Sequence, residues 1–287
     1  HQGNPEARLL MILSFHPCYV ADINRLCAGR DPDEKDLELI RAANAVILPQ
    51  GCRRSLFEAT RSLCPRVFPD YTARFAWPEK TGQIRMFAHF NAPHPKTAVF
   101  DCLKDYCRNH SAKDKPDDFD FPLVFKYNGS GEGSGVWLVQ NREQMQHLLE
   151  QTARWEKTGQ YGFLVQEYVE TKGWCLRVAV VGKTLVTYWR IQPEPEKFHV
   201  SASRGAEIDH KSYPKLQKAG EEQVRLLCKQ AGINLAGFDL IFPAGPTRQT
   251  PLFLEANYYF GRRGLGGSQA FYDLLCREID RWLGKTR

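Results

Sequence analysis

Three groups of side chains could act together, and the most specific of them is acidic. Gly237–Phe242 (GFDLIF) and Leu252–Tyr258 (LFLEANY) alternate in polarity and are joined by the turn-rich stretch Pro243–Pro251, so they read as paired strands. With Phe242 opposite Leu252, Asp239 faces Glu255 and Gly237 faces Asn257. The period of two then puts Asp239, Glu255 and Asn257 on one face. Opposed carboxylates repel unless a cation lies between them. Oxygen ligands of this kind suit Mg²⁺, which takes one or two carboxylates with phosphate oxygens and water. A solvated face, on which the acids tolerate each other in water, is the competing reading. The metal is favoured because Leu240, Leu254 and Ala256 on the other face are apolar and the acids interrupt hydrophobic strands.

The other two groups are cationic. Lys126 ends the strand-like run Leu123–Lys126, and a loop with glycines at 129, 131, 133 and 135 and serines at 130 and 134 leads into Val136–Val139. Without Cβ atoms, such a loop can lay several backbone N–H groups on one anion. It is neither a Walker loop nor a dinucleotide fingerprint, and alone it suits an exposed hairpin tip equally well. Cys175–Ile191 (CLRVAVVGKTLVTYWRI) reads as a hairpin turning at Gly182-Lys183. That turn sets Arg177 opposite Tyr188 and Cys175 opposite Arg190, leaving the two arginines diagonal neighbours. As a pair they want a phosphate or carboxylate; in an isolated hairpin they would be two arginines in water. Arg204, before Gly205, adds a further cation. Taken together the groups describe a nucleotide triphosphate site: loop and lysine over the phosphates, acids for a metal, arginines for charge developing in transfer.

The elements that must position these residues follow from patterning. Strand-like runs at Leu9–Phe15, Ala45–Pro49 and Arg66–Phe68 alternate with helical stretches Asp33–Ala43 and Ser55–Leu63, which predicts a small parallel sheet. The loop His16-Pro17-Cys18 then lies at its carboxyl edge, where open α/β sheets bind ligands. Asp70–Pro78 reads as a linker, Glu79–Phe90 as a helix, Thr97–Asp101 as a strand, and Asn141 as a helix cap. The predicted domains are 1–78, 79–160 and 161–287. The 287 residues are enough for two domains, or one domain with a lobe, since single cores rarely grow past ~250–300 residues. The composition, 43% hydrophobic and 25% charged, is that of a globular protein, and no apolar run is long enough for a membrane span. The net charge of +6 fits an anionic ligand, and no basic run points to nucleic acid. Nine cysteines without a C-x-x-C pair argue for reduced cytosolic thiols rather than zinc or disulfides.

With these residues in view, the sequence resembles the ATP-grasp superfamily and within it the RimK-type carboxylate–amine ligases, from about Glu79 onward. Lys80, ahead of Asn91-Ala92-Pro93-His94-Pro95-Lys96-Thr97, resembles the first nucleotide lysine and its "G-I-P-x-P-x-T" stretch. Lys126 resembles the second, and Gly129, Ser130, Gly131 and Gly133 lie in the phosphate-covering loop. Phe163–Val169 (FLVQEYV) resembles the adenine hinge, so Gln166, Glu167, Tyr168 and Val169 are nucleotide candidates, with Glu170 for the ribose. Arg177 stands at the arginine of "D-I-R", with Cys175 in place of the acid; Asp239, Glu255 and Asn257 match "D … E-x-N".

The resemblance implies an α/β fold with α+β lobes: an ATP-grasp fold behind an N-terminal α/β domain. It further implies ATP with two Mg²⁺ ions, or Mn²⁺ in their place, and a carboxylate phosphorylated to an acylphosphate that an amine, or a thiol, attacks. Arg177, Arg190 and Arg204 would steady the transferring group. Small-molecule, amino-acid or peptide acids and amines are the implied partners, in a cytoplasmic, homo-oligomeric enzyme with no membrane and no nucleic acid. A small-molecule kinase and a non-catalytic nucleotide-binding protein are the alternatives. After Asn257 the usual "N-x-x-P-G" gives way to Tyr258-Tyr259-Phe260-Gly261-Arg262-Arg263-Gly264, which with Gly266, Gly267 and a helix from Ser268 could form an anion-binding helix start.

Overall fold

Short apolar runs separated by helices build the first layer of the computed structural model, which describes residues 11–109, 116, 118–128, 135–193, 205–243 and 250–285. Strands β1 (Ile12–Ser14), β2 (Ile23–Asn24), β3 (Ala45–Ile47) and β4 (Val67–Phe68) form a parallel sheet in the order β2-β1-β3-β4. Two-residue β2 is too short for its pattern to announce it. Between the strands run α1 (Glu34–Ala42) and α2 (Arg54–Leu63). Asp33 and Asp36 cap α1 reciprocally, and buried Asp36 also accepts from Arg25 Nε (2.9 Å) and Arg30 (2.6 Å). Burial opposes that charge, but the Arg30 hydrogen bond and its companions outweigh it and hold the carboxyl at about 2. Leu13, Val46 and Val67 pack on Ile40, Leu56 and Phe57 of the two helices. The expected linker is partly ordered as α3 (Thr72–Ala76), because Asp70 accepts from Thr72 N and buried Tyr71 anchors the turn against Phe57 and Phe75.

The second layer contains α4 (Glu79–His89), β5 (Thr97–Phe100), α5 (Leu103–Asn109), β6 (Leu123–Tyr127), β7 (Val136–Val139), α6 (Arg142–Lys157) and β8 (Phe163–Glu167). Its antiparallel sheet has the order β5-β8-β6-β7. A boundary at 161 would assign β8 to the C-terminal lobe, whereas the strand is hydrogen-bonded on both sides within this sheet. Aromatic packing is the reason: Phe163 stacks on Phe100 and Phe125 at 5.1 Å each, beneath α5 and α6. Alternation turns Thr97, Val99, Val124, Lys126, Leu164 and Gln166 to the other face.

The third layer holds β9 (Trp174–Val181), β10 (Thr184–Ile191), β11 (Glu207–Asp209), α7 (Pro214–Ala231), β12 (Leu235–Ile241), β13 (Leu252–Asn257), a 3₁₀ turn (Arg263–Leu265) and α8 (Gly267–Leu283). The strand order is β11-β10-β9-β12-β13. On one face Leu176, Val178, Phe238 and Leu240 join Ile84 and Phe87 of α4 and Val224 and Leu227 of α7. The opposite face is divided. Ala179, Val181 and Leu235 pack under Phe271, Leu275 and Ile279 of α8 together with Ile12, Ile47 and Phe68 of the first sheet. Beyond that apolar end, the same face carries Arg177, Arg190 and Asp239.

Gly182 occupies the β9–β10 turn at φ +59°, where a Cβ would lie 2.6 Å from Glu278 Oε2. Glu278 accepts from Lys183 N and Thr184 Oγ1, both at 2.8 Å, which ties α8 to the turn. Gly182→Ala should therefore destabilise the fold by about 2 kcal/mol, through left-handed backbone strain and a displaced Glu278. Urea unfolding measures this; a midpoint equal to that of the native chain contradicts it.

Candidate active site

Asp239 sits in the middle of the third sheet, paired with Arg177 on one side and Glu255 on the other. Arg177 donates Nε to Oδ1 (2.5 Å) and a terminal nitrogen to Oδ2 (3.0 Å), and Arg190 approaches Oδ1 at 2.7 Å. All three side chains are at most 8% exposed. Burial opposes the Asp239 charge, but the two guanidiniums outweigh it and hold its carboxyl below the usual range. Arg190 also donates to Cys175 Sγ (3.4 Å), while its Nε has no hydrogen-bond partner among the described residues. Small residues make room for the cluster. A Cβ on Gly237 would lie 3.1 Å from the Arg177 guanidinium, and one on Gly264 would lie 2.2 Å from the Tyr188 ring opposite Arg177.

The predicted pairings of Asp239 with Glu255 and Gly237 with Asn257 are present, but not from the predicted starting point. Leu252 opposes Ile241 rather than Phe242, and a bulge between Asp239 and Leu240 restores the register at the acids. Phe253, not Leu254, therefore enters the core beside Leu240. The outer edge of β13 meets no strand among the described residues. Gln83 of α4 bonds both Ala256 N (2.9 Å) and Ala256 O (2.8 Å), and Pro93 O accepts from Phe253 N. Gln83 thus fixes the backbone between Glu255 and Asn257, a role its type and spacing did not signal.

Two lysines reach this edge from the second layer. Asn128, next to the end of β6, accepts from Thr81 N (3.1 Å) and donates to Thr81 Oγ1 (3.0 Å), so it caps the first turn of α4 and joins Lys80 to Lys126. Both ammonium groups interact electrostatically with Glu255. Burial draws Lys126 down to about 8, against the pull of Glu255, and also lowers Lys80. Glu255 is pushed up by burial and then by Asp239. No described residue hydrogen-bonds to the Glu255 carboxylate.

The remaining predicted residues fall less uniformly. Gly129, Ser130, Gly131, Gly133 and Arg204 lie outside the described residues. Arg177 and Arg190 come together as the diagonal register requires, yet both grip Asp239 rather than facing open space. The physical reason is that leaving the buried Asp239 carboxylate without a cationic partner would be far costlier. Gln166, on the Lys126 face, donates to Thr97 Oγ1. Glu167 closes β8 by holding Lys96 through its side chain and backbone N–H (2.8 and 2.9 Å), and Tyr168 and Val169 follow. Glu170 accepts from Lys172 N and Tyr168 Oη, so a ribose would have to compete with that turn. The nine cysteines are free.

Among the described residues no three of His, Cys, Asp and Glu cluster as a metal site. Mg²⁺ needs fewer protein ligands, all of them oxygen. Glu255, with no hydrogen-bond donor among the described residues, and Asn257, whose Nδ2 points to Asp239 (3.3 Å), fit it. The Asp239 oxygens are already engaged by the arginines.

These lobes and this cleft are those of an ATP-grasp protein. The model of the RimK-like ATP-grasp domain matches residues 79–268, more than half of the chain, and the chain belongs to that family. A relative named "Probable alpha-L-glutamate ligase 2" from Shewanella sp. (strain MR-4) is 27% identical over 150 residues, 52% of this chain and 46% of that protein. A second, "Probable alpha-L-glutamate ligase 1" from Shewanella amazonensis, is 28% identical over 51% of this chain and 46% of its own. The matches thus span about half the length of these relatives. Among solved structures, a RimK domain ATP-grasp protein from Sphaerobacter thermophilus superposes with a TM-score of 0.61 at 14% identity, covering 93% of this chain and 98% of that one. D-alanine–D-alanine ligase from Bacillus anthracis gives 0.62 at 14% identity, covering 91% and 86%. The described residues include no helix long and apolar enough to cross a membrane.

The lowered Lys126 ammonium has a thermodynamic signature. The folded protein binds fewer protons there than the unfolded chain between about pH 8 and 10.5, so this group makes stability rise with pH through that window. Lys126→Met should remove that increment and raise the apo protein's melting temperature near pH 7. Melting curves at several pH values read both; identical pH dependence in the two proteins contradicts the assignment.

Proposed function

We propose that the chain is an ATP-dependent carboxylate–amine ligase working through an acylphosphate. One observation supports this most: the Glu255 carboxylate, beside Asp239 and Asn257, meets Lys126 and Lys80 arriving from the other layer. A triphosphate fits between such groups because its inner phosphates would take the lysines. Mg²⁺ held by Glu255 and Asn257, with Asp239 if an arginine lets go, would supply charge neutralisation of the phosphates. The backbone of Tyr168 and Val169, just past the end of β8, would meet adenine. Arg177 and Arg190 carry one more positive charge than Asp239 neutralises, and that excess suits the transferring phosphoryl and the acid's oxygens. The amine then displaces phosphate, so no side chain need become a covalent nucleophile. The relatives named as glutamate ligases point to an amino acid as a substrate. The absence of a membrane-spanning helix among the described residues is consistent with the cytoplasm.

The test is phosphate release from MgATP with pooled amino acids, peptides and small diacids. Glu255→Gln should abolish release while leaving the circular dichroism spectrum unchanged, and Lys126→Ala should weaken MgATP affinity about tenfold, the worth of a charge-assisted contact. Undiminished turnover in the first variant, or unchanged calorimetric affinity in the second, contradicts the site. Product analysis separates the activities: a ligase yields free phosphate and a new amide, whereas a kinase leaves phosphate on its product.

A further inference from the structure

A parallel sheet gathers the residues that precede its strands along one edge. Asp22 stands ahead of β2, Asn44 ahead of β3 and Arg66 ahead of β4, and all three line a cavity of about 210 Å³ at the amino edge of the first sheet. The end of α8 and Lys285 after it form the opposite wall. The cavity is far larger than the ~10–15 Å³ that one water needs. Gln50, which bonds Tyr258 O next to the acidic strand, follows β3 at the other edge of the sheet. The cavity and the triphosphate cleft are therefore separate places.

Its charged groups are of both signs, and they are unmatched. The half-buried Arg66 lays its guanidinium over the Trp282 ring at 4.9 Å and donates a terminal nitrogen to Trp282 O at 2.9 Å. Stacking fixes the plane of the fork, and one bond leaves most of its N–H groups for a ligand. Lys285, past the Gly284 cap of α8, adds an ammonium 3.5 Å from Tyr19 Oη. Asn44 accepts from Met11 N through Oδ1 at 2.8 Å, and no described residue accepts from its Nδ2. Asp22 accepts from Ile12 N through Oδ2 at 2.8 Å, and no described cation pairs with its carboxylate. Arg66 and Lys285 likewise have no carboxylate partner among the described residues. Offsetting the negative end of α8 accounts for cations at this place. It does not account for a carboxylate that lines the same cavity and stays apart from them.

We propose that this cavity binds the zwitterionic head of an aliphatic α-amino acid. Arg66, Asn44 and Lys285 take its carboxylate, Asp22 takes its ammonium group, and Ile12, Ala45 and Leu283 meet its side chain. A simple anion would leave Asp22 unmatched, and a simple cation would leave the donors so. The site is independent of the ligase reading, since no residue of the cleft takes part in it.

Calorimetry on the full chain compares L-valine with isovalerate, which lacks the ammonium group, and with L-valinamide, which lacks the carboxylate. L-Valine should bind about tenfold more tightly than either, as expected for one charge-assisted contact. Arg66→Gln should weaken L-valine and isovalerate alike by about tenfold, and Arg66→Lys should recover part of that loss. Asp22→Asn keeps an acceptor for Ile12 N. It should weaken L-valine about tenfold and leave isovalerate unchanged, a split that a general loss of structure would not produce. No binding of L-valine, equal binding of L-valine and its two analogues, or undiminished L-valine binding in Arg66→Gln and Asp22→Asn overturns the proposal. The last result would mean that L-valine occupies another place, such as the cleft.

Discussion

One carboxylate shared by two guanidiniums organises the C-terminal sheet. Asp239 is buried on β12, and burial alone would keep it neutral; Arg177 from β9 and Arg190 from β10 hold it ionised. The arrangement works only if three strands stay in register, because a one-residue slip would turn every one of these side chains into the opposite, apolar core. It also leaves a positive excess within a face from which water is largely excluded. The small residues around it, Gly237 beneath the Arg177 guanidinium and Gly264 against Tyr188, are what the packing of so much guanidinium volume requires.

The neighbouring layers deliver the rest of the cleft to that fixed point. Helix α8 and the first sheet cover the apolar half of the same face, and its charged half lies beyond them. Helix α4 acts twice: Gln83 satisfies the β13 edge between Glu255 and Asn257, and its first turn, capped by Asn128, links Lys80 to the strand of Lys126. Acids on one lobe and ammonium groups on the other are therefore positioned by backbone hydrogen bonds rather than by their mutual attraction. This matters for a triphosphate, which must displace the lysines from Glu255 without dissolving the site.

Much of this was legible because period-two alternation and turn chemistry are local. The Gly182-Lys183 turn fixed the pairings of Arg177 with Tyr188 and Cys175 with Arg190, and acids in apolar strands exposed the Asp239–Glu255 pair. What was not legible depends on contacts distant in sequence. The bulge at Leu254 answers to the fit of Phe253 into a core built partly by α4. The membership of β8 in the second sheet follows from the stacking of Phe163 on Phe100 and Phe125, and α3 forms because Asp70 and Tyr71 find partners in a segment rich in turn residues. The arginines were legible as an anion-seeking pair, but the anion that they hold in this structure is one supplied by the protein itself. Gln83 and Asn128 gave no sign, since single amides in ordinary contexts do not reveal which distant backbone they will satisfy.

On the proposed function, a metal completes the acidic side of this cleft before a triphosphate can bind well. Calorimetric titration of the native chain with ATP, once in Mg²⁺ and once in excess chelator, addresses it directly. Affinity at least tenfold higher with Mg²⁺ is the predicted result; equal affinity in the two buffers, or no binding in either, would contradict it.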